Sequence, residues 1–192
     1  MEATEALQKL KDGNRRFVTG QPALKNLGDA RREELVGGQK PFAVILTCSD
    51  SRVPPEHIFD QGLGDLFVVR NAGNVVDPVT AGSIEYAVEH LLAPLVVVLG
   101  HDYCGAVKAA VDGGEAPGSI GAIISKLTPS VEKAKATGAA GRELYELATD
   151  ENIAAAVEDL KKSPVIKHFL ESGKTTLTGA KYFLETGEVV FY

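Results

Sequence analysis

Pro41-Phe-Ala-Val-Ile-Leu-Thr47 runs directly into Cys48-Ser-Asp50-Ser-Arg52. The first half is an unbroken apolar run of strand length, the pattern of a strand buried on both faces of a parallel sheet. Two more such runs follow, Leu66-Phe-Val-Val69 and Leu95-Val-Val-Val-Leu99. Between them, Thr80 to Leu92 puts Ile84, Ala87, Val88 and Leu91 on one helical face. Strands alternating with helices predict a parallel α/β sheet with right-handed crossovers.

The flanks fit that frame. Upstream, Glu2 to Phe17 carries Ala6, Leu7, Leu10 and Phe17 between charges and reads as an amphipathic helix. A short helix from Asp29 to Leu35 stops at Gly37-Gly38, so residues 1–38 are expected to form an N-terminal helical arm. Downstream, Cys104 to Val111, Arg142 to Lys161 and Lys167 to Glu171 are helical in pattern, and Asp112 to Gly121, rich in Gly and Pro, reads as a loop. Thr175 to Tyr192 alternates around Glu185-Thr-Gly187, a hairpin signal that predicts an antiparallel edge. The expected fold class is α/β: a central, mostly parallel sheet with an antiparallel edge, flanked by helices. No boundary interrupts residues 1–192, a length suited to a single domain.

The net charge of -6 argues against a nucleic-acid partner and against an anionic membrane surface. The longest apolar run, Leu91 to Gly100, is broken by Pro94 and is too short to span a membrane. The opening Met1-Glu-Ala-Thr-Glu-Ala6 lacks the basic start and apolar stretch of a signal peptide, so a cytoplasmic address is expected.

The chain has two cysteines, and both stand in unusual surroundings. The first strand delivers Cys48, and the third runs into Gly100-His101-Asp-Tyr-Cys104-Gly105. Ligands gather outside the carboxyl ends of parallel strands, so all three side chains belong to one edge. A Cys2His set with one position open fits catalytic zinc better than structural zinc, which closes with four protein ligands. Cys104 starts a helix, where the dipole favours the thiolate. Two thiolates cancel the charge of Zn2+, so bound water is less acidic than on a three-histidine zinc and needs help from neighbours. Asp50 is placed to accept a hydrogen bond at the open position, and Arg52 to keep Asp50 ionised and oriented.

Cys48-Ser-Asp-Ser-Arg52 followed by His101-x2-Cys104 resembles the signature of the β-class carbonic anhydrases. The likeness extends through Val69-Arg-Asn71 and Ile84-Glu-Tyr-Ala87. It implies one Zn2+ per chain held by Cys48, His101 and Cys104, with Asp50 a conditional fourth ligand. The implied activity is reversible hydration of carbon dioxide to bicarbonate by zinc-bound hydroxide, governed by the Asp50–Arg52 dyad. Gln39, Phe67 and Tyr86 match substrate-pocket residues of the plant-like (type I) branch, and Gly105 a backbone donor beside the metal. The resemblance also implies a homodimer or higher homo-oligomer embraced by N-terminal helices. Two positions depart from the family pattern. Ala106 stands where a second glycine is common, and Ile45 where the bicarbonate-regulated branch has a tryptophan.

Other readings remain open on the sequence. The ligand set serves equally a carbonyl sulfide or carbon disulfide hydrolase on this fold. A non-catalytic zinc-binding protein would be favoured by loss of Asp50 or Arg52, and both are present; a cysteine-based redox or acyl-transfer enzyme would use Cys48 or Cys104 as its nucleophile. His57, His90 and His168 are not assigned to the metal. Asp102 and Tyr103 are candidates for bonds behind the ligands or for the entrance. Gly62-Leu-Gly64 lacks the lysine of a phosphate loop and reads as a turn.

Overall fold

The computed structural model describes residues 1–192. In chain order the elements are α1 (Ala3–Val18), α2 (Asp29–Val36), β1 (Ala43–Cys48), α3 (Pro55–Ile58), β2 (Leu66–Asn71), α4 (Pro78–Glu89), β3 (Leu95–His101), α5 (Gly105–Asp112), α6 (Ile120–Ala136), α7 (Gly141–Lys161), α8 (Pro164–Glu171), β4 (Thr176–Tyr182) and β5 (Val189–Phe191). The five strands form one sheet in the order β2-β1-β3-β4-β5. The first four run parallel and β5 pairs antiparallel with β4, as the alternation of strands and helices and the terminal hairpin signal require.

Every residue of β1 and of β3 is buried, because side chains alternate between two packed faces. Ala43, Ile45, Leu95, Val97 and Leu99 face α1 and α3, meeting Ala6, Leu10, Ile58 and Phe59. Val44, Leu46, Val96 and Val98 face the other way, onto Ile84 and Val88 of α4 and Ile153, Ala156 and Leu160 of α7. The approach of α7 is close. A Cβ added to Gly100 would lie 2.5 Å from Ile153 Cδ1, and one added to Gly179 2.7 Å from Ile153 Cγ2. These two glycines let the helix seat Ile153 directly on the backbone of β3 and β4.

Element ends differ from the sequence reading where local capping chemistry decides. α4 starts at Pro78 because Asp77 accepts from the Thr80 amide at 2.7 Å and Pro occupies the first turn. Ser163 and Pro164 start α8 in the same way, ahead of the Lys167 expected from periodicity. β2 and β3 run on to Asn71 and His101, so His101 is itself a strand residue.

The largest addition is α6, which follows the expected loop and carries Pro129 in its interior. Proline removes one helical hydrogen bond and normally argues against an interior position. Here Leu127, Val131 and Ala134 pack into the cluster that contains Cys48, Cys104 and Val107, and that burial overrides the local preference. No helix is long and apolar enough to cross a membrane.

Candidate metal centre

Adjacent parallel strands bring Cys48 and His101 to the same edge, since each is the last residue of its strand. Cys104 has to be folded back to them. The turn Asp102-Tyr103 does this with Tyr103 at φ 52°, a left-handed conformation that costs a non-glycine residue about 1–3 kcal/mol. Three contacts hold it there. The Tyr103 hydroxyl donates to Glu185 at 2.6 Å, Arg52 donates to the Tyr103 carbonyl at 3.3 Å, and Arg142 lies 4.8 Å over the ring. Asp102 accepts from the Leu184 amide at 2.8 Å, tying the same turn to the β4–β5 connection.

The result is a buried nest in which the three ligand atoms lie within 4.8 Å of one another. The two sulfurs are 4.0 Å apart and both cysteines are free thiols. His101 is fully buried, with Nδ1 2.7 Å from the carbonyl oxygen of Asp102. A carbonyl only accepts, so Nδ1 carries the proton and Nε2 presents a lone pair. That Nε2 has no hydrogen-bond partner. A buried acceptor without a donor costs about 1–3 kcal/mol, and a cation between Nε2 and the two sulfurs removes the cost. One imidazole and two thiolates form a borderline-soft donor set that suits zinc, and the geometry of the nest fits it.

The thiols are prepared for a dication. The Cys104 S–H draws the Cys48 thiol well below the usual range against the penalty of burial, with help from the amide of Gly73 at 3.3 Å. The Cys48 thiolate and burial push Cys104 up, opposed by the amides of Val107 and Ala106 in the first turn of α5. One proton is thus held between two sulfurs, and metal binding releases it.

Asp50 and Arg52 stand beside the nest as a fork-to-fork pair. Arg52 Nε donates to Oδ1 at 2.9 Å and Nη2 to Oδ2 at 2.7 Å, and the Arg52 amide also donates to Oδ1 at 2.9 Å. The guanidinium holds the Asp50 carboxyl down at about 2, so it is a carboxylate at any pH of interest.

Three supporting residues escaped the sequence reading. Arg70 donates to the carbonyls of Cys48 at 3.1 Å and Asp50 at 2.7 Å, clamping the turn that joins ligand and dyad. Gly73, at φ 76°, aims its amide at Cys48 Sγ, and Asn152 on α7 donates to its carbonyl at 2.8 Å. Arg70 stands within the Val69-Arg-Asn71 stretch of the family likeness, but neither that likeness nor the strand pattern gave it this clamping role. Nothing in the sequence marked Asn152.

The expected pocket residues do not converge within one chain. Phe67 is four residues before Asn71, the partner of Cys48 in register, which is about 13 Å back along the strand. It packs 6.4 Å from Tyr86, which is half exposed and stacks in turn on His90. Gln39 lines a separate groove with Arg31, Glu34 and Asp65. Gly105 directly follows Cys104 as the first residue of α5, and His57 and His168 lie outside the ligand cluster.

Residues 43–189 match the carbonic anhydrase family. The carbonic anhydrase of Mycolicibacterium smegmatis is 46% identical over 189 residues, 96% of this chain and 90% of that protein. Carbonic anhydrase 2 of Mycobacterium tuberculosis is 42% identical over the same shares. A tetrameric β-carbonic anhydrase of Sordaria macrospora superposes with a TM-score of 0.77 at 29% identity, covering 83% of this chain and 84% of that one. The chain belongs to the carbonic anhydrase family. Its fold is that of the β class, as the sequence resemblance implied, and Cys48, His101 and Cys104 form a cluster that could hold one zinc. With membership come the activity, reversible hydration of carbon dioxide to bicarbonate, and the zinc cofactor.

Proposed function

We propose that Cys48, His101 and Cys104 hold the zinc of this carbon dioxide hydratase and that Asp50 and Arg52 control the fourth coordination position. The unpartnered, fully buried Nε2 of His101 beside two free thiols carries this reading. Zinc in this nest supplies Lewis acidity that makes a water molecule a nucleophile towards carbon dioxide near neutral pH.

The chain's own groups do the rest. Asp50 is an acceptor fixed in orientation by Arg52, so it takes a proton's hydrogen bond and leaves a lone pair of the attacking oxygen free. Arg52 is tied both to Asp50 and to the Tyr103 carbonyl, so the dyad and the turn before Cys104 move as a unit. Gly105, beside the metal at the start of α5, is assigned as a backbone donor towards bicarbonate, since amides of a first helical turn lack partners within the helix.

Gln39, Phe67 and Tyr86 are assigned to the substrate pocket, in the manner of the plant-like branch, with a second copy of the chain bringing them to the metal. Two features support that assembly: all three stand on one chain's surface away from its own nest, and Leu24, Val36 and Tyr86 are exposed. Residues 1–192 are read as one folding unit whose arm, 1–38, reaches the partner, in a dimer or higher homo-oligomer. Two reduced thiols used as ligands suit the cytoplasm.

Stopped-flow carbon dioxide hydration by zinc-loaded wild type and Asp50→Ala, from mildly acid to alkaline pH, tests the assignment. The wild-type rate is expected to rise with pH and the variant to lose most of it at full zinc content. An inactive wild type with one zinc per chain at alkaline pH overturns it. Relative turnover of carbon dioxide and carbonyl sulfide in the same apparatus separates hydratase from sulfur-analogue hydrolase.

A further inference from the structure

Behind Cys104, on the α5–α7 side, lies a cavity of about 280 Å3 that the hydration chemistry does not use. Tyr103, Cys104, Val107, Tyr145, Glu146 and Thr149 line it. Arg142 and Lys108 stand among the residues that line it.

The two cations differ in commitment. Lys108 is paired with Asp112, which also accepts from the Tyr145 hydroxyl at 2.7 Å. Arg142 makes only two long ion pairs and no side-chain hydrogen bond. Its closest carboxylate oxygens belong to Glu146 at 4.0 Å and Glu185 at 3.9 Å, beyond hydrogen-bonding distance. Both acids have nearer partners: Glu146 meets the buried Lys181 ammonium at 2.6 Å, and Glu185 accepts from Tyr103 at 2.6 Å. The guanidinium lies 4.8 Å over the Tyr103 ring with its planar donor edge free. An uncommitted bidentate donor set among aromatic and aliphatic walls recognises a planar anion with an apolar body.

We propose that this cavity binds a small aromatic carboxylate and that its occupant modulates the metal centre. The carboxylate engages Arg142, and the ring packs between Tyr103, Tyr145 and Val107. Coupling follows from shared contacts. Tyr103 sits in a strained left-handed turn, its carbonyl accepts from Arg52, and Cys104 is a wall of the cavity. An occupant that shifts the Tyr103 ring therefore acts on the turn that sets Cys104 and on the arginine that orients Asp50.

Benzoate is the probe, titrated calorimetrically into zinc-loaded enzyme with cyanate saturating the metal. Benzoate is expected to bind under these conditions, acetate far more weakly, and Arg142→Gln to weaken benzoate by about tenfold or more. Saturating benzoate is expected to change the kcat of wild type and to leave Arg142→Gln unaffected. Arg142 is exposed, so the variant keeps its fold; because the guanidinium also lies over Tyr103, the effect of benzoate on kcat is read for each protein against its own rate without benzoate. Four results each overturn the proposal: no binding at millimolar benzoate, competition with cyanate, equal affinity in Arg142→Gln, or acetate binding as well as benzoate.

Discussion

At the carboxyl ends of β1 and β3, three ligand atoms lie within 4.8 Å of one another in a buried nest; on the outer flank of β2, Phe67 and Tyr86 stand half open to solvent, with Gln39 in a groove of its own. The nest is complete in one chain because strand pairing and a single strained turn fix all three ligands against a packed core. The flank of β2 has no neighbouring strand on its far side, and Phe67 and Tyr86 beside it stay part-exposed. One region needs only folding, and the other is proposed to need a second copy.

The largest effect belongs to the nest. Cys104→Ser keeps the size of the side chain but removes a thiolate, and we expect zinc to fall well below one per chain and hydration to drop to background. Metal content by mass spectrometry and stopped-flow rates check this together. Full zinc with full activity in the variant would remove Cys104 from the ligand set.

Asp50→Asn comes next. The amide cannot act as a pure acceptor, and it weakens the pairing with Arg52. We expect a loss of about a hundredfold in kcat/KM at unchanged zinc content. The sign of the pH dependence is specific. Arg52 holds the Asp50 carboxyl at about 2, so it is ionised throughout the neutral range. The ratio of wild-type to variant rate is therefore flat with pH there. A ratio that climbs through neutrality would mean that Asp50 itself titrates in that range.

How much of this was legible follows the same division. Cys48, His101, Cys104, Asp50 and Arg52 lie in two short motifs at strand ends, and strand periodicity alone brought them to one edge. Gly73 and Asn152 act through a backbone amide and a carbonyl brought together from distant parts of the chain, and such contacts leave no pattern in sequence. α6 was missed for a related reason. Pro129 and the Gly-rich approach oppose a helix locally, while burial of Leu127 and Val131 under the nest, visible only in three dimensions, decides for it. Capping signals at Asp77-Pro78 and Ser163-Pro164 were present and outrank periodicity at helix starts.

The arm is held to the core at Asp60, buried at φ 48° just beyond α3. Its carboxylate meets Arg16 of α1 at 2.5 Å, Lys25 at 2.6 Å and the Ala23 amide at 3.0 Å. Burial pushes the Asp60 carboxyl up, but these partners outweigh it and hold it at about 2. A depressed folded value stabilises the fold above the unfolded carboxyl range, and that stabilisation is lost as pH falls through about 2. At neutral pH Asp60→Asn is expected to cost about 2 kcal/mol, read from urea midpoints, with the deficit closing in acid. A deficit independent of pH would mean that packing, not charge, fixes the arm.

The smallest effect sharpens the contrast most. Tyr86 is half exposed, so Tyr86→Ala costs the isolated fold within about 0.5 kcal/mol, and the nest it leaves untouched keeps its zinc. If a partner covers the flank of β2, the same substitution removes an aromatic anchor from an interface and a wall from the substrate pocket. We then expect a several-fold lower kcat/KM, with sedimentation showing a weaker assembly at low protein concentration. Unchanged activity and unchanged mass would confine catalysis to the single chain's own edge, and the outer flank of β2 would lose its place in the site.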